Sequence, residues 1–259
     1  MNTFFLDRLN SEPHALAFAG QSTPWPVALA DQSANPALDE ALHTHAAAAQ
    51  ALLYPVSAEL LATTGRPVDL FGFEPNPARL GAAAAASASV PGIALTQLGA
   101  LLDAAALGYN PAQAKPVAVL GHSQGVLAVH MVQAICEAGS IDAAAAKIDE
   151  ILAIATLIGV AGTRQARQLG LAARHGEATP MLSVKDITRA QVDALIERVD
   201  GARGPIAVAV TNSATHYVLS GYPEDLAAFG VEVAKEHKRQ AQLREEKVRG
   251  GRVFNPVLE

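Results

Sequence analysis

The five residues Gly121-His122-Ser123-Gln124-Gly125 follow the apolar run Val117-Ala118-Val119-Leu120 and precede a helix-like stretch from Val126 to Glu137. A strand that feeds Gly-x-Ser-x-Gly and then a helix is the nucleophile-elbow pattern, and it constrains the fold to a parallel sheet edge with a helix behind it. Flanking glycines let the backbone turn without a Cβ clash, which holds the serine hydroxyl at the tip of the turn. The helix that follows aims its N-terminal amides at that hydroxyl, where they can stabilise an oxyanion. The competing reading is an ordinary strand-to-helix turn.

With 259 residues, half of them hydrophobic and 17% charged, the chain can bury a substantial core as one large domain or as a domain carrying an inserted smaller one. The net charge of −6 offers no basic face for nucleic acid, so small-molecule or protein partners are expected. A single cysteine, Cys136, excludes an intramolecular disulfide and reads as a core thiol. The N-terminus, Met-Asn-Thr-Phe-Phe-Leu-Asp-Arg, lacks the apolar segment of a signal peptide, and no run approaches the length needed to span a bilayer. A cytoplasmic protein without membrane contact is the expectation.

Along the chain, Ala15 to Ala19 reads as a strand entering the turn Gly20-Gln21-Ser22-Thr23-Pro24. Pro36 to Leu61 reads as helix interrupted near Pro55, Asp69 to Pro77 as a loop, and Gly81 to Val90 as either a flexible or a packed small-residue segment. Ile93 to Ala106 and Ile141 to Val160 have the pattern of long helices. From about Gly176 the pattern changes. Strand Met181–Val184, helix Thr188–Val199 with Thr188 as N-cap, strands Ile206–Val210 and Tyr217–Ser220 joined by a loop from Thr211 to His216, and helix Tyr222–His237 give a β-α-β-β-α order. The fold class expected is α/β, with an α/β-hydrolase-like large subdomain over 1–175, an inserted ferredoxin-like small subdomain over 176–240, and a return segment over 241–259 that is cut short.

Several of these pieces, in this order, resemble the acyltransferases that load acyl groups from coenzyme A onto acyl carrier protein. The resemblance is closest to the N-terminal acetyltransferase domain of bacterial and fungal type I fatty acid synthases. It rests on Phe18-Ala19-Gly20-Gln21-Ser22, Pro91-Gly92-Ile93-Ala94-Leu95-Thr96-Gln97, Gly121 to Gly125, Pro180 to Val184, and Asn212 with Ser220-Gly221. It implies Ser123 as nucleophile, the backbone N–H groups of Gln124 and Gln21 as oxyanion hole, and a Gly20-Gln21 turn that meets the elbow in space. Asn212 and His216 would line the substrate cleft from the small subdomain. No tightly bound cofactor is implied; acyl-CoA is the substrate, and the phosphopantetheine is carried by the partner acyl carrier protein alongside other domains of a multifunctional synthase.

Malonyl-specific relatives carry an Arg-Gly step on the second helix after the elbow, where the arginine pairs with the malonyl carboxylate. Ile158-Gly159 resembles that step, and no arginine occurs from Gly139 to Thr163; Arg164 is the other candidate counterpart. Isoleucine cannot compensate a buried carboxylate, so the resemblance implies an uncharged acyl group such as acetyl bound near Ile158. The basic run from Lys235 to Arg252 reads as a solvated helix and linker, or as a contact for coenzyme A phosphates or the carrier protein. His14, His43, His45, His175 and His237 read as solvated, and His130 as a helix-face residue. Relatives place their general-base histidine after the small subdomain, and no histidine follows His237, so weak activity of these residues alone is expected. A serine esterase or thioesterase, and a structural fragment of a larger assembly, are the alternative readings.

Overall fold

In the computed structural model, residues 8–20, 25–47, 49, 51, 70–71, 82–168, 180–199 and 204–248 are described. The chain divides into two compact units, Met1–His175 and Gly176–Glu259.

In the first unit, strand β1 (Ala15–Phe18) pairs in parallel with β2 (Ala118–Gly121), Phe18 standing opposite Gly121. Parallel neighbours need a long crossover. Here it includes helix α1 (Trp25–Ser33), a helical stretch over 36–47, helix α2 (Ala82–Ala106) and the short α3 (Pro111–Ala114). The small-residue stretch is helix from residue 82 and buried from Ser87 to Val90, and it continues through Pro91 into the core helix without a break. Beyond β2 a 3₁₀ turn (Ser123–Gly125) opens into α4 (Val126–Ala138), and Ser140 then caps α5 (Ile141–Gln168), its Oγ accepting from the Ala143 N–H at 3.2 Å. Helix α5 packs along α2 and α4. Their facing residues, among them Ile93, Leu95, Leu98, Met131, Ile135, Ile148 and Leu152, form one buried apolar cluster against which Leu16, Phe18 and Val119 of the sheet pack.

Helix α2 corrects one expectation. Its stretch Ser87–Ala106, of mean hydropathy 1.2, is long and apolar enough by length and composition to cross a membrane, and 72% of it is buried inside the protein. Its apolarity comes largely from alanine and leucine, which serve close helix packing.

In the second unit, β3 (Met181–Lys185), β4 (Ala207–Ser213) and β5 (His216–Ser220) form an antiparallel sheet in the order β3-β5-β4. Thr188 caps α6 (Arg189–Ile196) through a capping box with Gln191. Helix α7 (Pro223–Val248) packs Leu226, Phe229 and Val233 into a core with Val184, Val192, Leu195 and Leu219. The segment from Thr211 to His216, expected as a loop, is strand except for a turn at Ala214-Thr215, and α7 continues through residue 241, where a separate segment was expected.

Candidate active site

The elbow is built by backbone contacts. Val119 and Leu120 carry β2 up to Gly121, and His122 stays extended, its N–H donating to the Phe18 carbonyl at 3.0 Å. Ser123 then adopts a φ of +54°, a left-handed conformation that a non-glycine residue takes only at a cost. The next residues turn at once into helix: the Gly125 N–H reaches the His122 carbonyl at 2.9 Å, and the Val126 N–H points back to Ser123 and Gln124. Ser123 is solvent-exposed at the N-terminal end of α4, whereas Gly125 is buried.

Two glycines show how closely the neighbouring strand end approaches. A Cβ on Gly125 would stand 2.3 Å from the Phe18 carbonyl oxygen, and a Cβ on Gly20 would stand 2.8 Å from both the His122 carbonyl oxygen and Ser123 Cβ. Gly20 therefore lies directly against the elbow, and a Cβ there would also be 3.5 Å from the Gln124 N. Of the two amides expected as oxyanion donors, that of Gln124 follows Ser123 within the elbow turn; Gln21 lies outside the described residues. Gln97 of α2 also reaches this turn, donating from Nε2 to the Ala19 carbonyl at 2.6 Å. Gln97 ends the stretch Pro91 to Gln97 that carries the family resemblance, yet no role in the site followed for it from sequence; a lone amide in an otherwise apolar helical run was the available signal.

The histidines of the first unit have other work. His14 Nε2 lies 2.8 Å from the Tyr109 hydroxyl, and His43 stacks on Phe71 at 3.7 Å. His45, expected in solvent, is buried, with Nδ1 2.7 Å from Asp149 Oδ1, and so joins the helical stretch over 36–47 to α5. The contact's other half comes from more than a hundred residues away, which local sequence context does not show. Cys136 is exposed and not a core thiol, because Leu127, Met131, Ala134 and Ile135 define the inner face of α4 and position 136 falls outside it. Partial desolvation of the sulfur by its neighbours, followed by the adjacent Glu137 charge, raises its thiol above the ordinary cysteine range.

Ile158 lies on α5 with Ile154 and Leu157, all three about half exposed, at 52%, 45% and 53%. They form an apolar strip on the face of α5 away from its packing with α2 and α4. Arg164 is exposed on the same helix.

In the second unit the structure brings Asn212 and His216 together and adds Ser183. His216 Nε2 lies 3.0 Å from Ser183 Oγ and 3.4 Å from Asn212 Nδ2. The strand register sets this up: His216 of β5 stands opposite Lys185 of β3 and Ser213 of β4. Ser183 Oγ and the Asn212 amide thus both face Nε2 of the His216 ring. Among the described residues no group of three His, Cys, Asp or Glu side chains gathers to hold a metal ion.

Comparison with known proteins gives concordant results. The family described as "Fatty acid synthase central AT domain" matches residues 180–259. The fatty acid synthase beta subunit hexB of Dothistroma septosporum is 30% identical over 128 residues, covering 44% of this chain and 7% of that protein. Among solved structures, the malonyl CoA-acyl carrier protein transacylase of Coxiella burnetii is 19% identical with a TM-score of 0.50, covering 95% of this chain and 61% of that one. A type II polyketide malonyl-transacylase solved in complex with its acyl-carrier protein is 17% identical with a TM-score of 0.51, covering 95% and 62%. The chain thus spans about three fifths of the length of these structural relatives and a small part of the fungal subunit. Residues 180–259 thus match the central AT domain family of fatty acid synthases, and the chain shares its α/β fold with the malonyl-CoA–acyl carrier protein transacylases.

Proposed function

We propose that the chain transfers an acyl group, acetyl in preference to malonyl, from coenzyme A to the phosphopantetheine thiol of acyl carrier protein through an acyl ester on Ser123. The observation that carries this is the conformation of Ser123. An exposed serine held at a φ of +54° between a parallel strand and a helix N-terminus presents its hydroxyl where helix amides can meet a developing negative charge.

In the proposed sequence Ser123 Oγ attacks the thioester carbonyl while its proton passes to a general base. The Gln124 and Gln21 amides hold the oxyanion, and collapse breaks the C–S bond and releases coenzyme A as the protonated thiol. The pantetheine thiol of the carrier then attacks the serine ester, returning the proton to Ser123 Oγ as the thioester forms. His216 is read as a residue that faces substrate with Asn212 and not as the base, because its Nε2 is already in contact with Ser183 and Asn212. The three-strand order β3-β5-β4 with two helices supports a ferredoxin-like small subdomain over 176–240, and the parallel β1-β2 pair with its elbow supports an α/β-hydrolase-like large one over 1–175.

Intact-protein mass spectrometry after incubation with acetyl-CoA tests the reading. An acetyl adduct on the wild type that disappears in Ser123→Ala is expected; an adduct that persists in the variant overturns the assignment. Release of free acid, with no transfer to a carrier thiol, would replace the transferase by an esterase or thioesterase.

A further inference from the structure

We propose that Gln97 is a positioning residue for acyl transfer, a clamp on the Ala19 carbonyl that holds Gly20 against the elbow and so fixes the placement of Ser123 and the Gln124 amide; this rests on Ser123 being the nucleophile. Two consecutive carbonyls of the strand end are tied in different directions. That of Phe18 accepts from the His122 N–H of the elbow at 3.0 Å, and that of Ala19 accepts from Gln97 Nε2 of α2 at 2.6 Å. Between these two anchors and the elbow, the backbone passes at Gly20 so close to Ser123 that no Cβ fits. The Ala19–Gly20 peptide is planar, so fixing its carbonyl fixes the Gly20 nitrogen and Cα, and with them the close approach of Gly20 to His122, Ser123 and the Gln124 nitrogen.

The clamp carries a cost that a space-filling residue would not. Gln97 is 8% exposed, and its amide orientation is dictated by its partner, since a flipped amide would set oxygen against oxygen at 2.6 Å. The orientation that serves Ala19 leaves Gln97 Oε1 buried with no hydrogen-bond partner. Buried orphan acceptors destabilise, and an apolar side chain of the same shape removes the penalty. Methionine would therefore satisfy the packing at this position, whereas only a donor can hold the Ala19 carbonyl. Small misplacements of a catalytic amide cost large factors in rate.

The experiment compares the initial rate of acetyl adduct formation on Ser123 from acetyl-CoA in wild type, Gln97→Met and Gln97→Glu, each at pH about 5 and about 8, with thermal melting alongside. Gln97→Met is expected to melt no lower than wild type while forming the adduct about tenfold or more slowly. Gln97→Glu is expected to be slow at the higher pH, where the carboxylate repels the Ala19 carbonyl. Relative to wild type it should recover at the lower pH, where the protonated acid can donate. A purely structural glutamine would show no such pH-dependent recovery. Wild-type rates in both variants at both pH values, with the wild-type adduct present, overturn the clamp alone. A wild type that forms no adduct on Ser123 overturns the nucleophile reading and the clamp with it.

Discussion

Gly20 and Ser123 lie so close that a β-carbon added to Gly20 would stand 2.8 Å from the β-carbon of Ser123, although the two residues are separated by the whole crossover from β1 to β2. One neighbouring atom, the His122 carbonyl oxygen, is backbone, so the added methyl cannot be relieved by a rotamer change. Gly20→Ala is expected to destabilise the first unit by about 1–3 kcal/mol, the usual cost of overpacking, and to lower Ser123 reactivity. Gly162→Ala is the control: a Cβ there meets nothing, and alanine for glycine inside α5 should stabilise by about 0.5–1 kcal/mol. Chemical denaturation of both variants decides the matter, and equal effects would remove the close approach as a cause.

The left-handed Ser123 predicts a separation of stability from chemistry. Ser123→Ala and Ser123→Gly both delete the hydroxyl, but only glycine accepts a φ of +54° without strain. The glycine variant is expected to be more stable than the alanine variant by about 1 kcal/mol, while neither forms an acyl adduct. Equal stabilities would mean that the elbow holds no backbone strain.

The elbow was legible in sequence because its requirements are local: two glycines, a serine, and apolar periodicity that changes from strand to helix across five residues. The N-cap at Thr188 and the β-α-β-β-α order were legible for the same reason. What the sequence concealed depends on partners brought from far away. His45 looks solvated until α5 supplies Asp149, and Gln97 looks like one polar residue in an apolar helix until the Ala19 carbonyl arrives against it. The segment Thr211 to Ser213 has loop composition, yet it forms strand because β4 lies at the sheet edge with exposed side chains, where polar residues cost nothing. Helix α7 outruns its apolar pattern since the charged residues beyond His237 are good helix formers that need no burial.

Glu236 on α7 predicts an acid-sensitive contact within the second unit. Its carboxylate is mostly enclosed and accepts from Arg239 at 2.6 and 3.0 Å, from Gln240 at 2.9 Å and from Arg198 of the α6 end at 3.2 Å. These hydrogen bonds, that of Arg239 first, lower its pKa from 4.5 to about 2. A carboxylate with a depressed folded-state value contributes stability above its unfolded value, and that contribution is lost as pH falls through the folded one. Wild type should therefore lose this increment between pH 4.5 and about 2, and Glu236→Gln should melt lower at neutral pH with a flatter acid limb across the same window. Parallel pH profiles for the two proteins would show that the cluster contributes no net stability.

Ile158 predicts how acyl selectivity can be changed. It is 52% exposed on α5, so an arginine there keeps its guanidinium in water and leaves the core intact. In the proposed reading this position meets the end of the acyl group, where an isoleucine offers a carboxylate nothing to offset desolvation. An arginine can pair with malonyl in a bidentate, charge-assisted contact. Ile158→Arg is expected to raise the rate of malonyl loading relative to acetyl by about tenfold or more, equivalent to about 1.5 kcal/mol, the lower end for a hydrogen bond to a charged group. Arg164→Ala in the wild-type background should leave the ratio unchanged. Parallel time courses of the two adducts on Ser123, read by intact mass, check both. An unchanged ratio in Ile158→Arg would place the acyl end elsewhere, and a ratio that falls in Arg164→Ala would give the carboxylate-binding role to Arg164.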